Sequence, residues 1–375
     1  MILAGLWLLG SVAASGQLTG QFYLEKTFFA RWEPIFLYYR ITNDGREAVE
    51  IINTRNPEQP GCSGHSIRVS SDPSPTSVGC VSNGPLAQPR TLRPGESYTE
   101  RFLLNFSHEI NLPGDYWVEA KHSGMWNKTA GDSDVKLRFH IGEDTVAPNQ
   151  LQSLLDALHS TDREKRIEAA RILASLAPPS LENALFGFAN EPEFRRYAPL
   201  AFHRLNTTRS MEKMAELMQG PATNEQLEAA QYLADTHDQR WYPLLRDAAV
   251  KNAQNSSFPE DAAELGGDKA LPMLVTLARS PDREFTAGNA IMAMGATGSR
   301  DAIPVLLNYL NSPDINISDR ASYALHVLTH HSVAQDQTNR NRRTEAAEWS
   351  EWWEREGSTA RIYKASEFEE DVPLQ

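Results

Sequence analysis

The stretch IEAARILA at residues 167–174 returns as LEAAQYLA at residues 227–234, sixty positions on. Midway, residues 194–202 read FRRYAPLAF, where Ala198 and Ala201 fall 29 residues after Ala169 and Ile172. Further along, ALPML at 270–274 is repeated as AIPVL at 302–306, displaced by 32. Ser280-Pro281-Asp282 recurs as Ser312-Pro313-Asp314 with the same displacement. A period near 30 with apolar residues three and four apart predicts helix pairs, each too small to bury both of its faces without neighbours. Ala169, Ala170, Ala229, Ala230, Ala321 and Ala324 would let adjacent helices approach closely. Asp162, Asp282 and Asp314 suit the helix starts beside them, where free N–H groups accept a carboxylate.

An apolar first helix, a Pro-Asp or Thr-Asp turn and an Ala-rich second helix together resemble HEAT repeats. The resemblance implies an all-α solenoid over residues 146–335, built from about six helix pairs. Their expected spans are 149–177, 180–206, 209–236, 240–266, 268–298 and 300–330. The fourth is irregular, since Asn252 to Pro259 is polar and its second helix is expected to be short, near Asp261 to Leu265. Trp349, Trp352 and Trp353 share one helical face, so residues 340–357 are expected to form a Trp-rich helix capping the last pair. An acidic disordered tail is expected over 366–375.

Before Pro148 the period is two. Ile35, Leu37, Tyr39 and Ile41 alternate, Asn43-Asp44-Gly45 supplies a turn, and Val49, Ile51 and Ile52 resume. Arg93-Pro94-Gly95-Glu96 precedes a strand from Tyr98 to Leu104, and Leu112-Pro113-Gly114-Asp115 precedes Tyr116 to Ala120. Val135, Leu137, Phe139 and Ile141 form the last strand. Short alternating strands between Gly/Pro turns predict an all-β sandwich over residues 17–145. The stretch LPGDYWVEA resembles the tyrosine corner of immunoglobulin-like domains. EPIFLYYRITNDG and LRPGESYTERF are similar to bacterial immunoglobulin-like modules, a group that includes a small intracellular proteinase inhibitor. The expected fold is therefore multidomain, an immunoglobulin-like sandwich followed by a HEAT-like solenoid.

Residues 1–16 read as a signal peptide, with Ile2 to Val12 apolar and Ala13, Ala14 and Ser15 small near the cleavage point. The apolar run is too short for a membrane span. No Lys or Arg precedes it, the first being Lys26. Export, to the periplasm or outside the cell, would place the two cysteines, Cys62 and Cys80, in an oxidising compartment where a disulfide is expected. The Ser, Pro and Gly residues between them suit a surface loop, and His65 in that loop and His203 on a second helix read as surface residues.

The 375 residues carry a net charge of −13, which disfavours nucleic acid and anionic lipid as partners. No phosphate-binding, nucleophile-elbow, zinc-protease or EF-hand motif occurs. His326, His330 and His331 make the best metal candidate, but two imidazoles one turn apart are an incomplete site and no acid joins them at helical spacing on the C-terminal side. Iron hydroxylases of the repeat class resemble arrays of His-Glu pairs, whereas His-Glu occurs here at His108-Glu109, before the repeats. No feature points to a bilin, as in phycobilin lyases. No cofactor is expected. The reading is a non-enzymatic exported protein that binds or scaffolds a protein partner through the second helices. The candidate contacts are Arg166, Arg195, Arg196, Gln226, Gln231, Arg283, Asp319 and His326. The alternatives are a proteinase inhibitor acting through the sandwich loops and an enzyme with an unrecognised groove site.

Overall fold

The structure, a computed structural model, describes residues 18–51, 65–71, 90–122, 133–219, 223–280, 284–333 and 342–364. The chain divides into two compact units, Met1–Glu182 and Asn183–Gln375.

In the first unit, β1 (Leu18–Leu24), β3 (Phe36–Asn43) and β7 (Ser97–Leu103) form an antiparallel sheet in the order β1-β3-β7. A second sheet has the order β2 (Phe28–Arg31), β9 (Ser133–Thr145), β8 (Gly114–His122), β5 (His65–Ser70). There β2 runs parallel to β9, and β9-β8 and β8-β5 are antiparallel. β4 (Val49–Ile51) pairs with β6 (Arg90–Leu92). The alternation of β3 buries Leu37, Tyr39 and Ile41, which share one core with Ile67 of β5, Val118 of β8 and Phe139 of β9. Both sheets thus contribute to the same core.

Two turns are held by named groups. Asn43 is fully buried, its side chain donating to Glu47 O at 2.8 Å and Leu92 O at 2.9 Å while accepting from Gly45 N. Gly95 takes φ +79°, a left-handed value that its lack of Cβ makes cheap, and Glu96 N closes the turn on Arg93 O at 2.9 Å. Tyr116 Oη donates to Leu112 O at 2.9 Å. The strand expected to reach Leu104 ends at Leu103, and a single helical turn, α1 (Leu104–Ser107), follows.

His65 is not a surface residue. It opens β5 opposite His122 of β8, is 1% exposed, and its Nε2 lies 3.1 Å from Glu100 Oε2. Its Nδ1 meets His122 Nδ1 at 3.2 Å. The segment between the cysteines therefore contains a strand, which its Gly and Pro content conceals. Cys62 and Cys80 themselves lie outside the described residues, as do 1–16 and 366–375.

The change of period falls as read: α2 (Pro148–Ala157) has Pro148 in its first turn, where a missing N–H costs nothing. Asp162 caps α3 (Arg163–Leu176), accepting from Glu164 N at 2.9 Å. This helix pair belongs to the first compact unit. Ile172 and Leu176 of α3 pack with Leu103 of β7, Trp32 and Phe36, and Arg101 pairs with Glu168 at 3.0 Å.

The second unit is helical. Its elements are α4 (Glu182–Phe186), α5 (Ala198–Leu205), α6 (Thr208–Leu217), α7 (Asn224–Asp235), α8 (Tyr242–Lys251), α9 (Ser257–Gly266), α10 (Leu271–Ala278), α11 (Glu284–Ala296), α12 (Ala302–Tyr309), α13 (Ile315–Thr329) and α14 (Arg342–Glu356). Short 3-10 turns precede α5, α8 and α10, and Pro199, Pro243 and Pro272 stand near the helix starts that follow. Thr207 with Ser210 forms a capping box on α6, and Asp314 caps α13 through Asn316 N at 2.8 Å. The second helix of the fourth pair is longer than its polarity suggests, because Phe258 and Pro259 are buried in its first turn. Trp349 and Trp352 of α14 are buried in the same core as Ile291, Leu306, Leu325 and Leu328.

Candidate interaction face

Within the second unit, the second helices form a continuous row: α5 packs on α7, α7 on α9, α9 on α11 and α11 on α13. Small residues set this spacing. Ala229, Ala230, Ala262, Ala263, Ala290, Ala321 and Ala324 have no exposure at all. Leu233, Ile291, Met294 and Leu325 are buried with them, and the exposed side chains of the same helices make up the candidate face.

At one end, His203 of α5 stacks on Tyr232 of α7, ring centres 4.2 Å apart and planes 14° apart. Burial, with the charges of Glu228 and Asp235, pushes the Tyr232 phenol above its ordinary value. The carboxyls of Glu228, Glu260 and Glu264 are raised, chiefly by burial and then by acidic neighbours, and that of Asp235 is raised by burial against the opposing pull of His203 and His237. Asp261 is the extreme. It is 7% exposed, its Oδ2 has no hydrogen-bond partner, and burial with Glu260, Glu264 and Asp235 pushes its pKa to about 8.

Further along, Asn289 of α11 is buried and ties three segments together. Its Nδ2 donates to Gln254 O at 3.0 Å and Ala253 O at 3.3 Å, while Oδ1 accepts from Arg320 Nη1 at 3.1 Å. Ser322 of α13 donates to Glu345 of α14 at 2.6 Å. Tyr323 stands exposed between them.

The candidate contacts read from the sequence are scattered. Arg166 lies in the first unit, half-buried, its Nη1 donating to Ser160 O at 2.9 Å and so bracing the turn before α3. Arg195 and Arg196 are exposed on the 3-10 turn before α5, with the Arg196 guanidinium over the Tyr197 ring at 4.6 Å. Gln226 is 3% exposed and caps α7, its Oε1 accepting from Thr223 N at 2.9 Å. Gln231 is exposed on α7 and Asp319 half-buried on α13. His326 Nδ1 lies 2.9 Å from His331 O, and Arg283 lies outside the described residues. His330 stacks on Tyr363 and His331 on Trp352. Among the described residues no three His, Cys, Asp or Glu side chains are placed to hold a metal ion, and no helix is long and apolar enough to cross a membrane.

The residues that the spacing did not single out are Tyr232, Asp235, Asp261 and Glu264. A signal was present. In IEAA, LEAA and EDAA the acid before Ala-Ala is Glu168, Glu228 and Asp261, one position of the repeat. At the preceding position Ile167 and Leu227 give way to Glu260.

Residues 287–312, from the body of α11 through α12, match the family model of the PBS lyase HEAT-like repeat. The chain carries a HEAT-like repeat. No curated protein matches the sequence. Among solved structures, human deoxyhypusine hydroxylase in complex with glycerol aligns at 14% identity and TM-score 0.28, over 49% of this chain and 75% of that one. A β-glucosidase from Listeria innocua in complex with glucose aligns at 13% and 0.21, over 35% of this chain and 17% of that one. The Y1175G mutant of Salmonella α2-macroglobulin aligns at 11% and 0.21, over 90% of this chain and 27% of that one. Likenesses at these scores carry no argument about fold or function. HEAT-like repeats are consistent with a protein-interaction role, which their stacked second helices suit.

Proposed function

We propose that this protein is a non-enzymatic, exported interaction protein that binds a protein partner through the second helices of a HEAT solenoid. The observation that supports this most is the uninterrupted row α5-α7-α9-α11-α13, each helix packed on the next. A stacked row of this kind fixes outward side chains on a rigid surface without spending conformational entropy on binding. In the same reading, β1 to β9 form an immunoglobulin-like sandwich, in which the Tyr116–Leu112 bond serves as the tyrosine corner. Residues 1–16 direct export, and Cys62 pairs with Cys80 in the oxidising compartment.

The test is affinity capture from an envelope extract of the source cells with the full chain as bait. A matched bait carries Tyr232→Ala on α7, which removes one ring of the His203 stack, and Tyr323→Ala on α13, which removes an exposed ring. A saturable protein held by the first bait and lost from the second is the expected result. Equal retention by both baits, or no saturable protein, overturns the reading.

A further inference from the structure

The second helices hold a carboxylate that the fold leaves without a partner. Asp261 of α9 is 93% buried by its 7% exposure, and its Oδ2 meets neither donor nor acceptor. The groups acting on it are Glu260 and Glu264 of its own helix and Asp235 of α7, all of its own sign. His203 and His237 act on this cluster with the opposite sign, through Asp235 and Glu264. A buried ionised carboxylate is strongly disfavoured unless something pairs with it.

Three occupants could supply that pair. Proton uptake removes the charge in the free protein, in line with the raised pKa of Asp261, but leaves Oδ2 without a hydrogen bond. A divalent cation needs several ligands, and the described residues offer no set of three acids, His or Cys placed to hold one. An organic cation brings its own donors and needs a single buried anion within a negative surround. The neighbouring Tyr232–His203 stack offers a flat face for an alkyl stem or guanidinium.

We propose that the partner presents a lysine- or arginine-rich segment to the α7–α9 face. One cationic side chain seats on Asp261, and its neighbours face Asp235, Glu264 and the Tyr232–His203 stack. This rests on the interaction reading above and adds the chemistry of the partner. It also gives the unpaired carboxylate a purpose, since groups that cost stability in the free protein are retained where binding uses them.

The experiment uses the full chain and a labelled hexalysine peptide, followed by fluorescence anisotropy at about 0.15 M ionic strength, where surface attraction is largely screened beyond about 8 Å. The expected result is saturable binding that D261N weakens by about tenfold or more, as loss of a buried charge partner does. The control variant, Glu348→Gln with Glu351→Gln, removes two exposed charges from α14 and is expected to leave affinity within about twofold. Melting curves accompany both variants, and D261N is expected to melt no lower than the parent because it removes a buried carboxyl whose ionisation the fold penalises. No binding, equal affinity for D261N and the parent, or an equal loss in the control overturns the inference. A protein captured through the second helices while hexalysine ignores Asp261 sinks this inference alone. Hexalysine binding with no captured protein sinks the interaction reading instead.

Discussion

Gly295 of α11 and Ala324 of α13 approach so closely that a Cβ built on Gly295 would stand 3.0 Å from the Cα of Ala324. Backbone, not a movable side-chain tip, fills the space. The two helices are neighbours in the row that carries the candidate face, so this contact sets the spacing of the outward residues on both sides.

Replacing Gly295 by Val is therefore expected to destabilise the second unit. Overpacking a filled interior costs about 1–3 kcal/mol, more than the helix propensity such a change restores. Urea unfolding followed by helical circular dichroism reads the loss as a lower midpoint. An unchanged midpoint would mean that α11 and α13 separate at little cost.

Tyr116 offers a second test, in the sheet-rich unit. Its hydroxyl reaches back to Leu112 O at 2.9 Å, and its ring lies parallel to Phe139 at 5.4 Å between centres. Tyr116→Phe keeps the ring and deletes the bond, so a loss of about 0.5–1.5 kcal/mol is expected, the usual net worth of one such bond. A null result would make the tether incidental to the stability of β8.

Trp349 and Trp353 sit on one helix and differ in burial. Trp349 is 1% exposed within the core formed by α10 to α13, while Trp353 is partly covered and lies under the Arg300 guanidinium at 5.5 Å. Trp349→Ala is expected to cost about 3–5 kcal/mol, the range for emptying a large aromatic site. Trp353→Ala should cost markedly less. Comparable losses from both would show that α14 contributes through its length, not through the buried ring.

Much of this was legible in the sequence, for identifiable reasons. The repeat displaces IEAARILA onto LEAAQYLA, and the alanines at those positions do line the packed sides of α3 and α7. Turns written with Gly and Asn, at Gly45 and Gly95, were equally plain because few other residues tolerate the backbone they need. Burial of polar side chains was not legible. His65 looks like a loop residue beside Cys62, yet a strand partner, His122, carries it into the core from 57 positions away. Gln226 has the look of an exposed polar residue and instead caps its own helix, a role set by Thr223 three residues earlier. Asp261 shares a repeat position with Glu228, yet Asp261 is 7% exposed while Glu228 is more open, a difference that the residue type at that position does not announce.

That difference in environment has a pH signature. Asp261 ionises near the ordinary value of 3.8 when unfolded and at about 8 when folded, raised by burial and by Glu260, Glu264 and Asp235. Below the unfolded value both states hold the proton, and the folded state carries no penalty. Between about 4 and about 8 the unfolded chain gives up the proton while the folded chain keeps it, so stability falls as pH rises. The slope contributed by this group approaches about 1.4 kcal/mol per pH unit across that window and vanishes above it. Glu228, Asp235, Glu260 and Glu264, also raised, add slope of the same sign. Asp115 and Glu119, lowered by Arg138 with His140 and by Lys136, act the other way and below pH 5. Asp261→Asn is thus expected to flatten the decline between pH 5 and 8 and to leave the variant more stable than the parent at pH 8. Denaturant midpoints measured at half-unit steps would show it. A parent whose stability holds level or climbs across that range would mean that Asp261 is already ionised and paired within the folded chain.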